Sequence, residues 1–438
     1  MFTSSRASSR LPHPSVRIPF RSHHLTATML LLSAFSLAQA DSTQPLSLAE
    51  AVRLAQGNAP AIAAQDAALA AADALAVRAP QLPDPQLIAG IQSLPLAGPE
   101  RFSLTRDSMT THMIGVMQEF PRREKRRLRG ESAQAEAAVA GAQLAATRLD
   151  VQQQAAIAWI DAYYAQRARS LIESLRPQLD AEVSTAQAVF RGGGGSAADV
   201  LAAKAAREQL EDQLDDNARD FEQAQATLAR WLGNDAAQRA LAQAPDFTQL
   251  PNTPAMLLDK VEQQTSLLSY SAREHAAESQ LRLARAEKKP DWSLEVGYGH
   301  RGPAYADMLS VQVRVDLPLF PGQRQDATIA ARLAELDQRE AERIEAVRVQ
   351  REKTAQLLAA WQAATRRVER YAQTLLPLAE QRSTVALAAY RAGGSDITPL
   401  LAARNAAIQT RLADLEQQRE RARAWAALNY LMPTESQP

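Results

Sequence analysis

Two glycine-rich turns, 200 residues apart, show that this sequence contains the same unit twice. At that offset Pro177 falls on Pro377, and at an offset of 207 Pro83-Asp84 falls on Pro290-Asp291. A unit repeated in this way is one structural module used twice, which favours a single elongated body over several unrelated domains. We predict a leader over residues 1–40, a first repeat over 41–247 and a second repeat over 248–438. The turns are Arg191-Gly192-Gly193-Gly194-Gly195-Ser196 and Arg391-Ala392-Gly393-Gly394-Ser395.

The charge balance argues against a nucleic-acid partner. Lys+Arg and Asp+Glu each number 49 among 438 residues, so no net field attracts a polyanion. Cysteine is absent, which excludes disulfides, thiolate metal sites and a lipid anchor on cysteine. No nucleophile elbow, phosphate loop or His-Glu-x-x-His motif occurs, so we expect neither an enzyme nor a cofactor.

The first 40 residues have the three-part pattern of a cleavable secretory leader. Four arginines precede an apolar run over residues 25–37, and Ala38-Gln39-Ala40 is typical of a cleavage site. No later stretch offers the 18 or so apolar residues of a membrane-spanning helix, so a helical membrane protein is not expected. An exported chain can still enter a membrane as a β-barrel.

Two pairs of short segments have the period-two alternation of β-strands. Residues 292–299 and 309–317 alternate apolar with polar or glycine positions, and residues 87–91 and 113–118 do so less clearly. A soluble, half-buried sheet gives the same pattern as a membrane barrel, so periodicity leaves both readings open.

A long helical pattern follows each pair of strands. We predict helices from Arg123 to about Phe190 and from Gln325 to about Tyr390, each on the order of 100 Å long at about 1.5 Å per residue. Shorter helices precede the strands, with a break near residues 57–60 in the first, and return helices follow the turns over 197–232 and 397–432. The economical arrangement stacks the shorter helices end to end beside each long one, with the strands at one end and the glycine turn at the other. The connection over residues 233–254 should then lie at mid-height. The fold class is mainly α, a long coiled-coil body with four strands per chain.

Three sequence motifs, two of them repeated, suggest a family. They are the opening Leu46-Ser47-Leu48-Ala49-Glu50-Ala51, the Tyr/Phe-Arg-x-Gly-Gly turns, and the strand exits Phe120-Pro121 and Leu317-Pro318-Leu319-Phe320. Duplicated and in this order, they resemble the TolC-like outer membrane factors of bacterial efflux and type I secretion over Leu48 to Met432. The resemblance implies a homotrimer whose twelve strands form one barrel in outer-membrane lipid, and whose helices form a periplasmic tunnel. It also implies two partners, a periplasmic adaptor and an inner-membrane pump.

Further motifs are similar to the heavy-metal efflux branch, the CzcC and CusC type, which would make the pump one of the RND type and the cargo a metal cation. They are Pro83-Asp84-Pro85, Phe102-Ser103-Leu104, Met109-Thr110-Thr111, Gln118-Glu119-Phe120-Pro121 and the basic run Lys125-Arg126-Arg127-Leu128-Arg129. That branch has a Pro-Gly pair before the basic run, and Arg122-Arg123-Glu124 stands here instead. The alternatives are a multidrug or type I secretion duct or, from another class, an exported periplasmic coiled-coil scaffold.

The resemblance assigns roles to the turns and to residues near them. The adaptor contacts are expected at Arg191, Gly192, Gly193, Gly194, Gly195 and Ser196 and at Arg391, Gly393, Gly394 and Ser395, although glycine also suits a plain helix–helix turn. Asp199 and Asp396 are expected to constrict the pore, and helix capping is an equal reading for Asp396. Pro177 and Pro377 should bend the long helices.

Met109, His112, Met113 and Met117 could suggest a metal site, because sulfur and imidazole are copper ligands. Met113 and Met117 share a strand face, whereas Met109 and His112 are expected in the connecting loop. Packing or lipid-facing methionines therefore explain the cluster better than a copper site, and we predict no metal ligands.

Overall fold

The computed structural model describes residues 44–393 and 395–432. The predicted leader, Gly394 and residues 433–438 lie outside the described residues. Within the described part, helices account for most of the chain and the strands form one four-stranded sheet. The predicted class, mainly α with a small β part, is confirmed.

Proline and glycine set the helix boundaries of the first half. Helix α1 (Leu48–Asn58) begins behind Ser47, whose Oγ accepts a hydrogen bond from the amide of Glu50 at 3.2 Å. Pro60 starts α2 (Pro60–Arg78), so the predicted break near residues 57–60 is confirmed. After the first strands, α3 (Arg123–Arg191) runs for 69 residues, and α4 (Ala197–Leu232) returns after the glycine turn.

The second half repeats this order with one difference, an interruption in its long helix. Residues 371–375 form a π-helical turn between α8 (Gln325–Arg370) and α9 (Leu376–Arg391), so the predicted continuous helix over 325–390 is wrong at this point. The remaining helices are α5 (Asn234–Ala237), α6 (Pro254–Asp259), α7 (Thr265–Ala286), α8 (Gln325–Arg370), α9 (Leu376–Arg391) and α10 (Ile397–Asn429).

The helices pack as the stacking argument predicts. Helices α2 and α4 both lie along α3, and α7 and α10 both lie along α8. Helix α3 also packs against α7 and α10, so the two halves lie side by side. The sequence repeat did not predict this contact between the halves, because it indicates only how the helices pack within each half.

The largest apolar cluster lies at mid-height, where α1 and α4 meet beside α3. Trp159, near the middle of α3, is fully buried, and its Nε1 donates a hydrogen bond to the carbonyl oxygen of Leu46 at 2.9 Å. Phe247, from the connection between the halves, is 2% exposed in the same cluster. The indole Nε1 of Trp361 donates a hydrogen bond to the carbonyl oxygen of Phe247 at 3.1 Å. The connection therefore lies at mid-height, as predicted.

Strands from both halves form a single antiparallel sheet in the order β1-β2-β3-β4. The middle pair joins the halves, with Ile114 of β2 opposite Tyr298 of β3 and Val116 opposite Val296. Each outer strand has a strand partner on one side only within the described residues. The strands are β1 (Gln86–Gln92), β2 (Thr111–Phe120), β3 (Trp292–His300) and β4 (Met308–Val315).

Helix α2 corrects one expectation about membrane helices. Residues 60–78 form the one described helix with the length and composition of a membrane span, at a mean hydropathy of 1.2 over its most apolar window. The expectation that no such segment follows the leader is therefore wrong. One such helix is weak evidence for a span, and α2 packs along α3, where Ile62 lies in a cluster with Leu144 and Val151.

Candidate functional site

The first tip, residues 191–196, ends α3 with backbone hydrogen bonds and leaves its outer surface open. The amides of Gly192 and Gly193 donate to the carbonyl oxygens of Ala188 at 3.0 Å and Phe190 at 3.1 Å. Gly193 has φ +81°, in the left-handed region that favours glycine. All six residues of the tip are exposed. Partners could therefore reach the backbone as well as the Arg191 side chain.

The second tip, residues 391–395, has the same geometry. The amides of Ala392 and Gly393 donate to the carbonyl oxygens of Ala388 at 3.0 Å and Tyr390 at 3.1 Å. Gly393 has φ +69° and repeats the left-handed conformation of the first tip. Gly394 lies outside the described residues. The sequence repeat at an offset of 200 is thus a repeat of backbone conformation.

The two tips lie next to each other. Ala186 of α3 and Ala203 of α4 share a buried cluster with Ile397 and Leu400 of α10. Tyr390, at the end of α9, packs against the same cluster. The sequence predicted two equivalent tips, and the structure brings them together into one surface.

Asp199 holds the first tip together as the third residue of a capping box. Its Oδ2 accepts hydrogen bonds from the amide of Ser196 at 2.9 Å and from the Ser196 hydroxyl at 2.8 Å. The Asp199 amide donates back to the Ser196 Oγ at 3.1 Å. These bonds lower the pKa of Asp199, and the amide of Ile397 at the start of α10 adds to the effect. The carboxylate therefore stays charged and lies between the tips.

Asp396 occupies the N-cap position of α10, but its side chain makes no capping hydrogen bond. The prediction that Asp396 is the N-cap residue is therefore confirmed, but the prediction that its carboxylate caps the helix is wrong. Asp396 is exposed, and its charge remains available at the surface.

The two predicted bends differ in their surroundings. Pro177 lies inside α3, which continues through it, between the buried side chains of Leu175 and Leu179. Pro377 is the second residue of α9 and follows the π-helical turn directly. Helix α9 has no buried residue, although its last turns pack against the buried cluster behind the tips.

A buried ion pair behind the tips escaped sequence reasoning. The Oε1 of Glu182 on α3 lies 2.5 Å from the Nε of Arg404 on α10, with the two side chains 10% and 13% exposed. Burial raises the pKa of Glu182, and the Arg404 guanidinium opposes that rise. The pair joins the two halves close to the tips. No local signal could have found it, because its members are distant in sequence and each lies on an ordinary helical face.

The sheet exposes a continuous apolar face. No helix packs on this face in the described part of the chain. The opposite face carries glycine, serine and charged side chains, among them Ser293, Glu295 and Gly297. The exposed apolar side chains include Leu87, Ile91, Ile114, Val116, Val296, Tyr298, Leu309, Val311, Val313 and Val315, each 41–74% accessible.

The methionine and histidine cluster is arranged differently from the prediction. His112 lies in β2, not in the connecting loop, and its Nε2 is 2.9 Å from the carbonyl oxygen of Leu104. Met113 and Met117 occupy the opposite face of β2 from His112, as the strand register requires. Among residues 44–393 and 395–432, no three His, Asp or Glu side chains are grouped as metal ligands.

Long helices with glycine tips, joined to a four-stranded sheet whose apolar face is exposed, make up the fold of TolC-like channels. Residues 259–432 match the family model of the outer membrane efflux proteins. No curated protein sequence matches the chain.

Three solved structures show the likeness of fold. A membrane protein from Pseudomonas aeruginosa is 20% identical, with 88% of this chain and 90% of that chain covered and a TM-score of 0.76. CusC is 16% identical, with 88% and 92% covered and a TM-score of 0.75. The outer membrane protein VceC from Vibrio cholerae is 21% identical, with 88% and 94% covered and a TM-score of 0.72. At these identities the likeness shows the fold and not the cargo.

Proposed function

We propose that three copies of this chain form the exit duct of a tripartite efflux system in the bacterial outer membrane. The observation that carries the proposal is the sheet: four strands with an exposed apolar face and two edges that lack a partner in the described chain. Open edges are not tolerated in lipid, and the smallest bacterial barrels have about eight strands, so one chain cannot close a barrel. Three copies supply the twelve strands that the resemblance implies.

The helices would then form the periplasmic tunnel, with the predicted leader over residues 1–40 directing export. The long helix α3, 69 residues or about 100 Å at about 1.5 Å per residue, suits a body that reaches far into the periplasm. Such a duct conducts cargo passively. The energy would come from the inner-membrane pump.

The paired tips are the proposed contact with the periplasmic adaptor. The first tip and residues 391–393 of the second are exposed, the tips lie side by side, and each presents an arginine next to accessible backbone, which suits a partner helical hairpin. Asp199 and Asp396 would contribute anionic rings near this end in the trimer. Since Asp199 is engaged in its capping box, Asp396 is the more available charge.

For cargo, we propose a heavy-metal cation delivered by an RND-type pump. The support is the likeness of the strand-exit motifs to the CzcC and CusC type, together with CusC among the similar structures. Structures of other channels, such as VceC, are similar to a comparable degree. A multidrug or type I secretion duct is therefore the alternative.

The proposal is tested by the mass of the native particle extracted with detergent from outer membranes. A three-chain mass in that fraction supports the duct. A soluble periplasmic monomer or dimer would contradict it and leave the coiled-coil scaffold.

The cargo is tested separately in a strain that lacks the gene. Heightened sensitivity to divalent or monovalent metal salts, with unchanged sensitivity to drugs, supports metal efflux. The reverse pattern would favour a multidrug duct.

A further inference from the structure

A cavity of about 590 Å³ lies where the apolar sheet face meets the helices. One wall is an aromatic stack, in which the rings of Phe120 and Trp292 lie 4.4 Å apart at an angle of 17°. Val313 and Val315 of β4 continue this wall. All four side chains belong to the exposed apolar face of the sheet, so the cavity opens onto the surface that would meet lipid.

The opposite wall of the cavity is basic, with Arg122, Arg123 and Arg126 at the start of α3. The one acidic residue that lines it, Asp291, is already neutralised from within the protein. Its Oδ1 accepts from the amide of Arg122 at 2.9 Å, and its Oδ2 from the Nζ of the buried Lys125 at 2.8 Å. The cavity therefore presents uncompensated positive charge.

None of the three guanidinium groups forms an ion pair with a carboxylate of the described residues. The Nε of Arg122 donates to the carbonyl oxygen of Pro290 at 3.0 Å. Neither Arg123 nor Arg126 has a carboxylate within 4.0 Å among the described residues. The Nε of Arg126 is shielded from solvent and makes no hydrogen bond. A shielded cationic donor without a partner is costly, and a phosphate oxygen is well suited to satisfy it.

We propose that this cavity binds the headgroup of an anionic phospholipid in the leaflet nearest the helices. Arg123 and Arg126 would hold the phosphate, and the start of an acyl chain would lie on Trp292 and Val313. Basic clusters beside aromatic side chains at the edge of an apolar band are the usual features of lipid–water interfaces. The inference rests on the proposed function, because it requires the sheet to lie in a membrane.

Trp292 provides a direct probe of the site. The full-length protein is reconstituted in two preparations of phosphatidylcholine vesicles. One contains a small fraction of phosphatidylglycerol with brominated acyl chains, and the other contains the same fraction of phosphatidylcholine with brominated acyl chains. Brominated chains quench tryptophan fluorescence on contact. We expect stronger quenching by the anionic lipid. The extra quenching should disappear in Trp292→Phe, which keeps the aromatic stack and the other four of the five tryptophans.

The charge requirement is tested by Arg123→Gln/Arg126→Gln. We expect this variant to bind the anionic lipid about tenfold more weakly or worse, as follows from losing two charge-assisted hydrogen bonds. The matched control Arg351→Gln/Arg366→Gln removes the same charge from exposed positions on α8 and should keep the wild-type preference. Inorganic phosphate at matched ionic strength should not relieve the extra quenching, since it has no acyl chain to lie on the aromatic wall.

The outcomes separate the two proposals. Equal quenching of the wild type by both brominated lipids places the sheet in the membrane and overturns the headgroup site. Relief of the extra quenching by inorganic phosphate overturns the lipid as the ligand. If neither lipid quenches Trp292, the membrane placement itself fails.

Discussion

At the scale of single residues, the tips depend on backbone conformations that only some side chains allow. Gly193 has φ +81°, where a Cβ atom is strained, whereas Gly192 has φ −78°. We expect Gly193→Ala to weaken the tip by about 1 kcal/mol. The control Gly192→Ala should have little effect, because its Cβ would meet the carbonyl oxygen of Ala188 at an ordinary 3.5 Å. Hydrogen exchange of the tip amides measures both. Equal effects would contradict the conformational argument.

Asp291 gives a prediction for pH. Burial alone would raise the pKa of Asp291, but hydrogen bonds from Lys125 and from the Arg122 amide outweigh it and hold the pKa below its usual value. A carboxyl whose pKa is lowered by folding contributes stability above its unfolded value, about 3.9, and loses it as the pH falls through the folded pKa. We therefore expect acid to loosen the junction of sheet and helices.

Asp291→Asn should remove this acid-dependent part of the stability. We expect its unfolding temperature at pH 7 to be lower than that of the wild type, and to change less between pH 7 and pH 3, as measured by calorimetry. The control Asp326→Asn changes an exposed carboxylate paired with Lys288 and should keep the wild-type pH dependence. An unchanged pH dependence in Asp291→Asn would show that other carboxylates dominate.

At the scale of elements, the two long helices differ although their sequences repeat. Helix α3 continues through Pro177 between buried leucines, whereas a π-helical turn precedes Pro377 and α9 has no buried residue. We expect Pro177→Ala/Pro377→Ala to stabilise the helices by up to about 3 kcal/mol and to leave efflux unchanged, because static curvature explains the prolines. Amide protection and an efflux assay test the two parts. Loss of efflux in a correctly assembled trimer would instead favour a hinge.

At the scale of the whole molecule, the exposed apolar face of the sheet should decide whether the chain enters a membrane. Val311 lies in the middle of β4 on that face, and Gln312 is next to it on the opposite face. We expect Val311→Arg to cost about 2–4 kcal/mol in the bilayer and to reduce the trimer recovered from outer membranes. Gln312→Arg adds the same charge on the other face and should assemble normally. Equal recovery of both variants would argue against lipid contact.

The sequence was sufficient for the order and the ends of the elements. Pro60 begins α2, glycine ends α3 and α9, and the period-two alternation locates all four strands. These features are local, since a proline, a left-handed turn or an alternating face depends on a few neighbouring residues. The equivalence of the two tips also followed from the repeat. The interruption at residues 371–375 did not, because the local pattern there remains helical.

Tertiary structure alone decided which distant segments meet. It pairs β2 with β3, places α3 against α7, and brings Glu182 to Arg404 and Asp199 beside Ile397. It also forms the basic, aromatic cavity from the end of β2, the start of β3 and the start of α3. The physical reason is that periodicity shows which face of an element is apolar or charged but not which other face will cover it. That choice depends on the packing of the whole chain.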